Sequence, residues 1–175
     1  MKAAEKRVRA AGFTEMSFRD VANDVGIKSA SVHYHFPTKA DLGEALVEGY
    51  ASRFEQRLNE IDKTNLLGAL SDFIGLYDEA LVLNEAICLC AVLGAEAIGL
   101  PDTVTDRTRR FFAMNLDWLG DLFAAYGIKD EVALASVIVT ALEGAMIVAS
   151  TSQDRHIFDQ VSRKLSELVV SKAHN

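Results

Sequence analysis

Four groups of side chains in this 175-residue chain are of types that could do chemistry. His33 and His35 lie two apart, and Cys88 and Cys90 repeat that spacing. On a helix two residues subtend about 200°, so each pair points to opposite sides. The imidazoles are then poor joint ligands for one metal ion, and the thiols cannot meet in a disulfide. Two cysteines without further Cys make no zinc site. Buried thiols in a reducing compartment are the first reading of Cys88 and Cys90. The rival is a thiol that senses electrophiles or oxidants, which requires a nearby cation to lower its pKa; Lys63 and Arg107 are both far along the chain. Glu143 is the third group, a carboxyl in an apolar stretch, where it must be paired, protonated or at an edge. The fourth is the stretch from Lys28 to Ala40, rich in hydroxyl, imidazole and amine groups and without one acidic residue. No Gly-rich phosphate loop, nucleophile elbow or metal-spaced cluster accompanies these groups. The chain reads as no enzyme, with no cofactor and no metal.

The elements that position the fourth group lie within residues 17 to 36, SFRDVANDVGIKSASVHYHF. Two short helices that cross steeply need a small residue at the contact, a turn residue that tolerates positive φ, and apolar pins on both. Ala22 is the small contact and Gly26 the turn. Val21 and Val25 pin the first helix, Ile27 closes the turn, and Val32 pins the second. Ser29, Ala30, Ser31, His33 and Tyr34 are left on or near the exposed side. A groove lined with phosphates repels acids and accepts such a surface. Ser17 is an N-cap with Asp20 three residues on. Pro37 disfavours helix at Phe36, and Thr38 caps a following helix whose free N–H groups, beside Lys39, suit a phosphate. A generic helical hairpin is the bland alternative.

Phe18 to Gly43, with its Gly turn and the run Tyr34-His35-Phe36-Pro37-Thr38-Lys39, resembles the DNA-binding domain of TetR-family transcriptional regulators. The resemblance covers about residues 4 to 50. It implies that Lys28, Ser29, Ala30, Ser31 and His33 face DNA and that Tyr34, His35 and Lys39 grip phosphates. His33 stands where the family more often has Tyr or Trp, and Ala30 where Gly is frequent; both bear on which bases are read. Only Met1 to Ala3 precede the first helix, where the family often has a basic arm. This predicts weaker non-specific affinity, or a start that is missing.

Charge is divided along the chain. Residues 1–40 hold seven basic and four acidic residues, the remainder eleven and twenty-one, for a net −7 overall. A basic head on an acidic body orients a molecule toward a polyanion, although +3 is also within ordinary fluctuation.

Helical periodicity predicts an all-α protein, with helices over residues 2–12, about 38–61, 64–80, 83–98, 103–126, 130–150 and 154–172 beside the two short ones. The expected division is a helix-turn-helix domain at 1–43 and a ligand-binding and dimerisation body at 44–175. In the body Phe73, Tyr77, Phe112, Trp118 and Met146 form a core if packed together and an apolar pocket if parted. With Glu143 they are the candidate ligand residues. The helix around residues 132–149 approaches membrane length, but Glu143, Ser136 and Thr140 and the lack of basic flanks argue against a bilayer span. A helix so apolar must be covered. A second subunit is expected to do this, with Ala135, Gly144 and Ala145 allowing close approach and Phe158, Val161 and Leu165 of the last helix completing a four-helix bundle. That face could instead pack only on its own body.

These readings predict a homodimeric one-component regulator, more a repressor than an activator. It would sit on a palindromic operator in double-stranded DNA, be switched by a small, largely apolar effector, and work in the cytoplasm without a membrane partner. The alternatives are a thiol-based stress sensor using Cys88 or Cys90, a helical ligand-binding protein, and an adaptor whose head no longer holds DNA.

Overall fold

A computed structural model describes residues 1–84 and 87–173, whose regular elements are all helices with no strand among them. The helices are α1 (Lys2–Ala11), α2 (Phe18–Val25), α3 (Ser29–His35), α4 (Lys39–Glu60), α5 (Leu66–Asn84), α6 (Leu89–Ala95), α7 (Asp102–Ala125), α8 (Glu131–Ser152) and α9 (His156–Ala173), with a 3-10 turn at Ala97–Gly99. The expected helix over 83–98 is not one element. Helix α5 runs on to Asn84, residues 85 and 86 lie outside the described residues, and Ile87 and Cys88 are not helical before α6 begins. The reason is burial: Cys88, Leu89, Cys90 and Leu93 are all in the core. A run that is apolar on every side shows no period that could mark a break.

The chain forms two compact units. One comprises Met1–Arg53 and Leu89–Phe111, the other Phe54–Cys88 and Phe112–Asn175. In the first, α1 buries Ala4 and Val8, α2 buries Phe18, Val21 and Ala22, α3 buries Val32, and α4 buries Leu42, Leu46 and Val47. Val25 is about half exposed, at 50%, and does not act as the expected pin; Ile27, expected to close the turn, leaves its side chain 47% exposed. Helix α2 is eight residues long. Val25 continues the stripe of 18, 21 and 22 but is the last residue of α2, beside the Gly26 turn.

In the second unit α8 packs on α5 and α9. Its core draws Leu70, Phe73 and Tyr77 from α5, Trp118, Leu119 and Phe123 from α7, Leu134, Ile138, Leu142 and Met146 from α8, and Phe158, Leu165 and Val169 from α9. Helix α8 is long and apolar enough to cross a bilayer by length and composition alone.

Candidate nucleic-acid interface

Each end of the α2–α3 pair is fixed by local chemistry. Ser17 caps α2: its hydroxyl accepts from Asp20 N–H at 3.2 Å and donates to the Asp20 carboxylate at 2.5 Å. At the other end Gly26 adopts φ 71°, ψ 32°, and Ile27 N–H donates to Ala22 C=O at 3.0 Å, a Schellman-type closure. The left-handed turn lets α3 start at once in a new direction. Helix α4 opens with a reciprocal cap: Asp41 N–H donates to the Thr38 hydroxyl at 3.2 Å, and Thr38 N–H to the Asp41 carboxylate at 2.8 Å.

The side chains expected to face DNA are exposed or half-buried. Lys28, Ala30, Ser31, His33 and His35 are exposed, Ser29 and Lys39 are half-buried, and Tyr34 is 84% exposed. The opposite side of α3 is held by buried Val32, and His33 lies edge-on to Phe18 at 4.4 Å between ring centres. Lys39 is restrained: its ammonium donates to Thr14 C=O at 2.8 Å and sits 4.9 Å from the Phe13 ring centre. An open cleft of about 440 Å³ is lined by Thr14, Glu15, Ser17, His33, Thr38 and Lys39, with the buried Met16 and Phe18.

The two acids of α2 are both engaged. Asp20 completes the cap, and Asp24 receives Arg7 through two bonds of 2.5 and 2.7 Å. The Arg7 hydrogen bonds hold the Asp24 carboxyl below the usual carboxylate range.

In the second unit, Phe73, Tyr77 and Trp118 are brought together. Phe73 stacks on Trp118 at 5.3 Å and meets Tyr77 at 5.5 Å, while the Tyr77 hydroxyl donates to the Asn115 amide oxygen at 3.2 Å. Met146 is fully buried and Phe112 is half-buried. Glu143 is buried with neither carboxyl oxygen satisfied. Burial, and then the Cys88 thiol that faces it, push its pKa up to about 10; a thiol is too weak a partner to satisfy a carboxylate. Cys88 and Cys90 are buried thiols with no disulfide.

Residues 1–46 match the family described as bacterial regulatory proteins, tetR family, and residues 67–164 match the C-terminal domain of LmrA/YxaF-like transcriptional regulators. The chain belongs to the TetR family. A TetR-family regulator from Agrobacterium tumefaciens is 30% identical, with a TM-score of 0.89, covering 95% of this chain and 93% of its own. A TetR transcriptional regulator from Legionella pneumophila is 25% identical with a TM-score of 0.88 and the same coverage. Regulatory protein TetR from Rhodobacter sphaeroides, at 22% identity, TM-score 0.86 and coverage of 95% and 94%, shares the fold. No curated protein matches. As a TetR-family member the chain is a DNA-binding transcriptional regulator and not an enzyme.

For this TetR-family body, the residues named for a subunit contact divide. Ala135, Ala145, Phe158 and Leu165 are buried within the chain itself, whereas Gly144 and Val161 are half-buried. The outward face of α8 carries instead Val132, Val137, Ile147 and Val148, all between 43% and 70% exposed. Glu96 and Asp41 are site residues that the sequence reading passed over. The Thr-x-x-Asp spacing signals Asp41. Nothing near Glu96 in sequence signals its partners, Phe13 and Thr14.

Proposed function

We propose that this TetR-family protein is a repressor that binds a palindromic operator as a homodimer and is switched by a small, largely apolar effector. The observation that carries the reading is the outward face of α3, Ser29 to His35 with Lys28, exposed and free of acid above an anchored inner side. We assign base contacts to Lys28, Ser29, Ala30, Ser31 and His33, and phosphate contacts to Tyr34, His35 and Lys39, the last at the capped start of α4. We place the DNA-binding domain at 1–43 and the ligand-binding and dimerisation domain at 44–175. Effector contacts fall to Phe73, Tyr77, Phe112, Trp118 and Met146, with Glu143 as the polar group among apolar ones.

A second subunit covers the α8 face. Val137, Gly144 and Val148 follow one another at helical spacing, and half-buried Val161 of α9 extends the surface. A dimer is required because each good base contact is worth about 1–3 kcal/mol, and two heads about 34 Å apart read successive major grooves. The thiol-sensing reading is weaker, because burial and the Glu143 carboxyl facing Cys88 both oppose a thiolate. The engaged state of Asp20 and Asp24 speaks against an adaptor that has lost DNA.

Nuclease footprinting on the gene's own upstream DNA tests the proposal. It should protect a palindrome with half-sites about one helical turn apart; a single unpaired half-site, or no protection at any salt, contradicts it.

A further inference from the structure

Glu96 stands between α6 and the 3-10 turn, outside the helix-turn-helix, yet its half-buried carboxylate is tied to the loop joining α1 to α2. Phe13 N–H donates to Oε1 at 3.0 Å, Thr14 N–H to Oε2 at 3.0 Å, and the Thr14 hydroxyl to Oε2 at 2.9 Å. Successive backbone N–H groups converging on one anion form a nest. Gly12 makes the approach possible. Its φ of 89° and ψ of 163° belong to a region that only glycine adopts readily, and a Cβ there would overlap the Glu96 carboxylate.

The other side of the same loop holds Lys39. Thr14 gives its N–H to Glu96 and its C=O to the Lys39 ammonium, and the buried Phe13 ring lies against that ammonium. A lysine is a flexible point charge with three donors. Here one donor is engaged by Thr14, which fixes where the charge sits and leaves two for a phosphate. The loop is therefore a bridge with a carboxylate on one side and a phosphate-seeking cation on the other, and Thr14 and Lys39 line the same cleft.

We infer that Glu96 is a positioning residue for DNA binding, acting through Phe13 and Thr14 to hold the Lys39 ammonium at the start of α4. This rests on the phosphate role proposed for Lys39. Thr14 bonded to Glu96 presents its carbonyl in one orientation; without the carboxylate, two N–H groups must find other acceptors and the carbonyl turns with them.

A double-mutant cycle measured by fluorescence anisotropy on an operator duplex separates positioning from simple support of the fold. Lys39→Ala in the wild-type background should lower affinity and reduce the slope of log K against log salt by close to one, the share of a single phosphate. Without that effect the phosphate role fails, and the inference falls with it. Glu96→Gln, which turns one acceptor into a donor facing donors, should lower affinity about 3- to 10-fold and reduce the slope in the same way. Lys39→Ala added to it should then cost little more. Full additivity with an unchanged slope in Glu96→Gln would overturn the inference while leaving the phosphate role intact. Should the Gln variant lose its helical circular dichroism, Thr14→Val removes only the hydroxyl donor. It should move affinity and slope the same way by a smaller amount, and no movement overturns the inference.

Discussion

Glu143 is a carboxyl that this fold must keep neutral. Its pKa, pushed from 4.5 to about 10 mainly by burial, means that between those values the folded chain binds a proton that the unfolded chain has released. Stability is then greatest at the acid end of the window and falls as pH rises, by at most about 1.4 kcal/mol per pH unit. The charged groups on the helices packed against α8 are engaged or exposed elsewhere: Asp78 pairs with Arg155, Glu79 with Arg57, and Lys164 with Glu167. Among the described residues, the Cys88 thiol is the group that acts on the carboxyl. Glu143→Gln keeps the shape without the proton, so urea midpoints should show the variant gaining on wild type between pH 6 and pH 8, by on the order of 1 kcal/mol or more. A pH-independent difference would count against a neutral Glu143. At the DNA face, Tyr34→Ala and Lys39→Ala should weaken binding to all duplexes alike, whereas Ser31→Ala and His33→Ala should alter base preference. Competition with base-substituted operators checks this; unchanged preference in both latter variants would remove α3 from base reading. Residue types made the outward, acid-free side of α3 legible in sequence. Glu96 was not legible, because its partners lie 82 and 83 residues away and no local pattern encodes such a contact.

At the scale of elements, the short helices were the easiest to read because their ends carry chemical punctuation. Ser17 with Asp20, Gly26, Pro37 and Thr38 each impose a local conformation, and the helix bounds follow them closely. The 83–98 segment failed for the converse reason: from Ile87 to Leu93 it is an unbroken apolar run with no chemical punctuation to mark where α6 begins. Val25 failed because apolarity was taken for burial, although it is the last residue of α2, beside the Gly26 turn. Gly26 gives a clean test of the turn. Nothing lies within 4 Å of a Cβ built there, and its φ is 71°, so Gly26→Ala changes backbone energy alone. It should cost about 1–2 kcal/mol of stability, with Gly26→Asn costing less, as read by thermal or denaturant unfolding. No loss in either variant would contradict the left-handed turn on which the α2–α3 crossing depends.

For the whole molecule, charge and surface divide the labour. The amino-terminal forty residues are net basic and the remainder strongly acidic, which favours one end of the chain for a polyanion. The apolar face of α8 was visible in sequence as an excess of hydrophobic residues, but which of them face outward was not. Ala135 and Ala145 looked like contact residues because they are small, yet the chain's own core takes them. Val148, 49% exposed, tests the subunit contact without disturbing that core. Val148→Arg should give a folded monomer by sedimentation and lose tight operator binding; a variant that stays dimeric would move the contact elsewhere. Whether the protein reads DNA as a dimer is decided by anisotropy of the purified protein on its own upstream duplex at two salt concentrations. Tight binding of one dimer per site that weakens steeply as salt rises through counterion release is expected. Binding that is absent at both salts, or indifferent to salt, would contradict it.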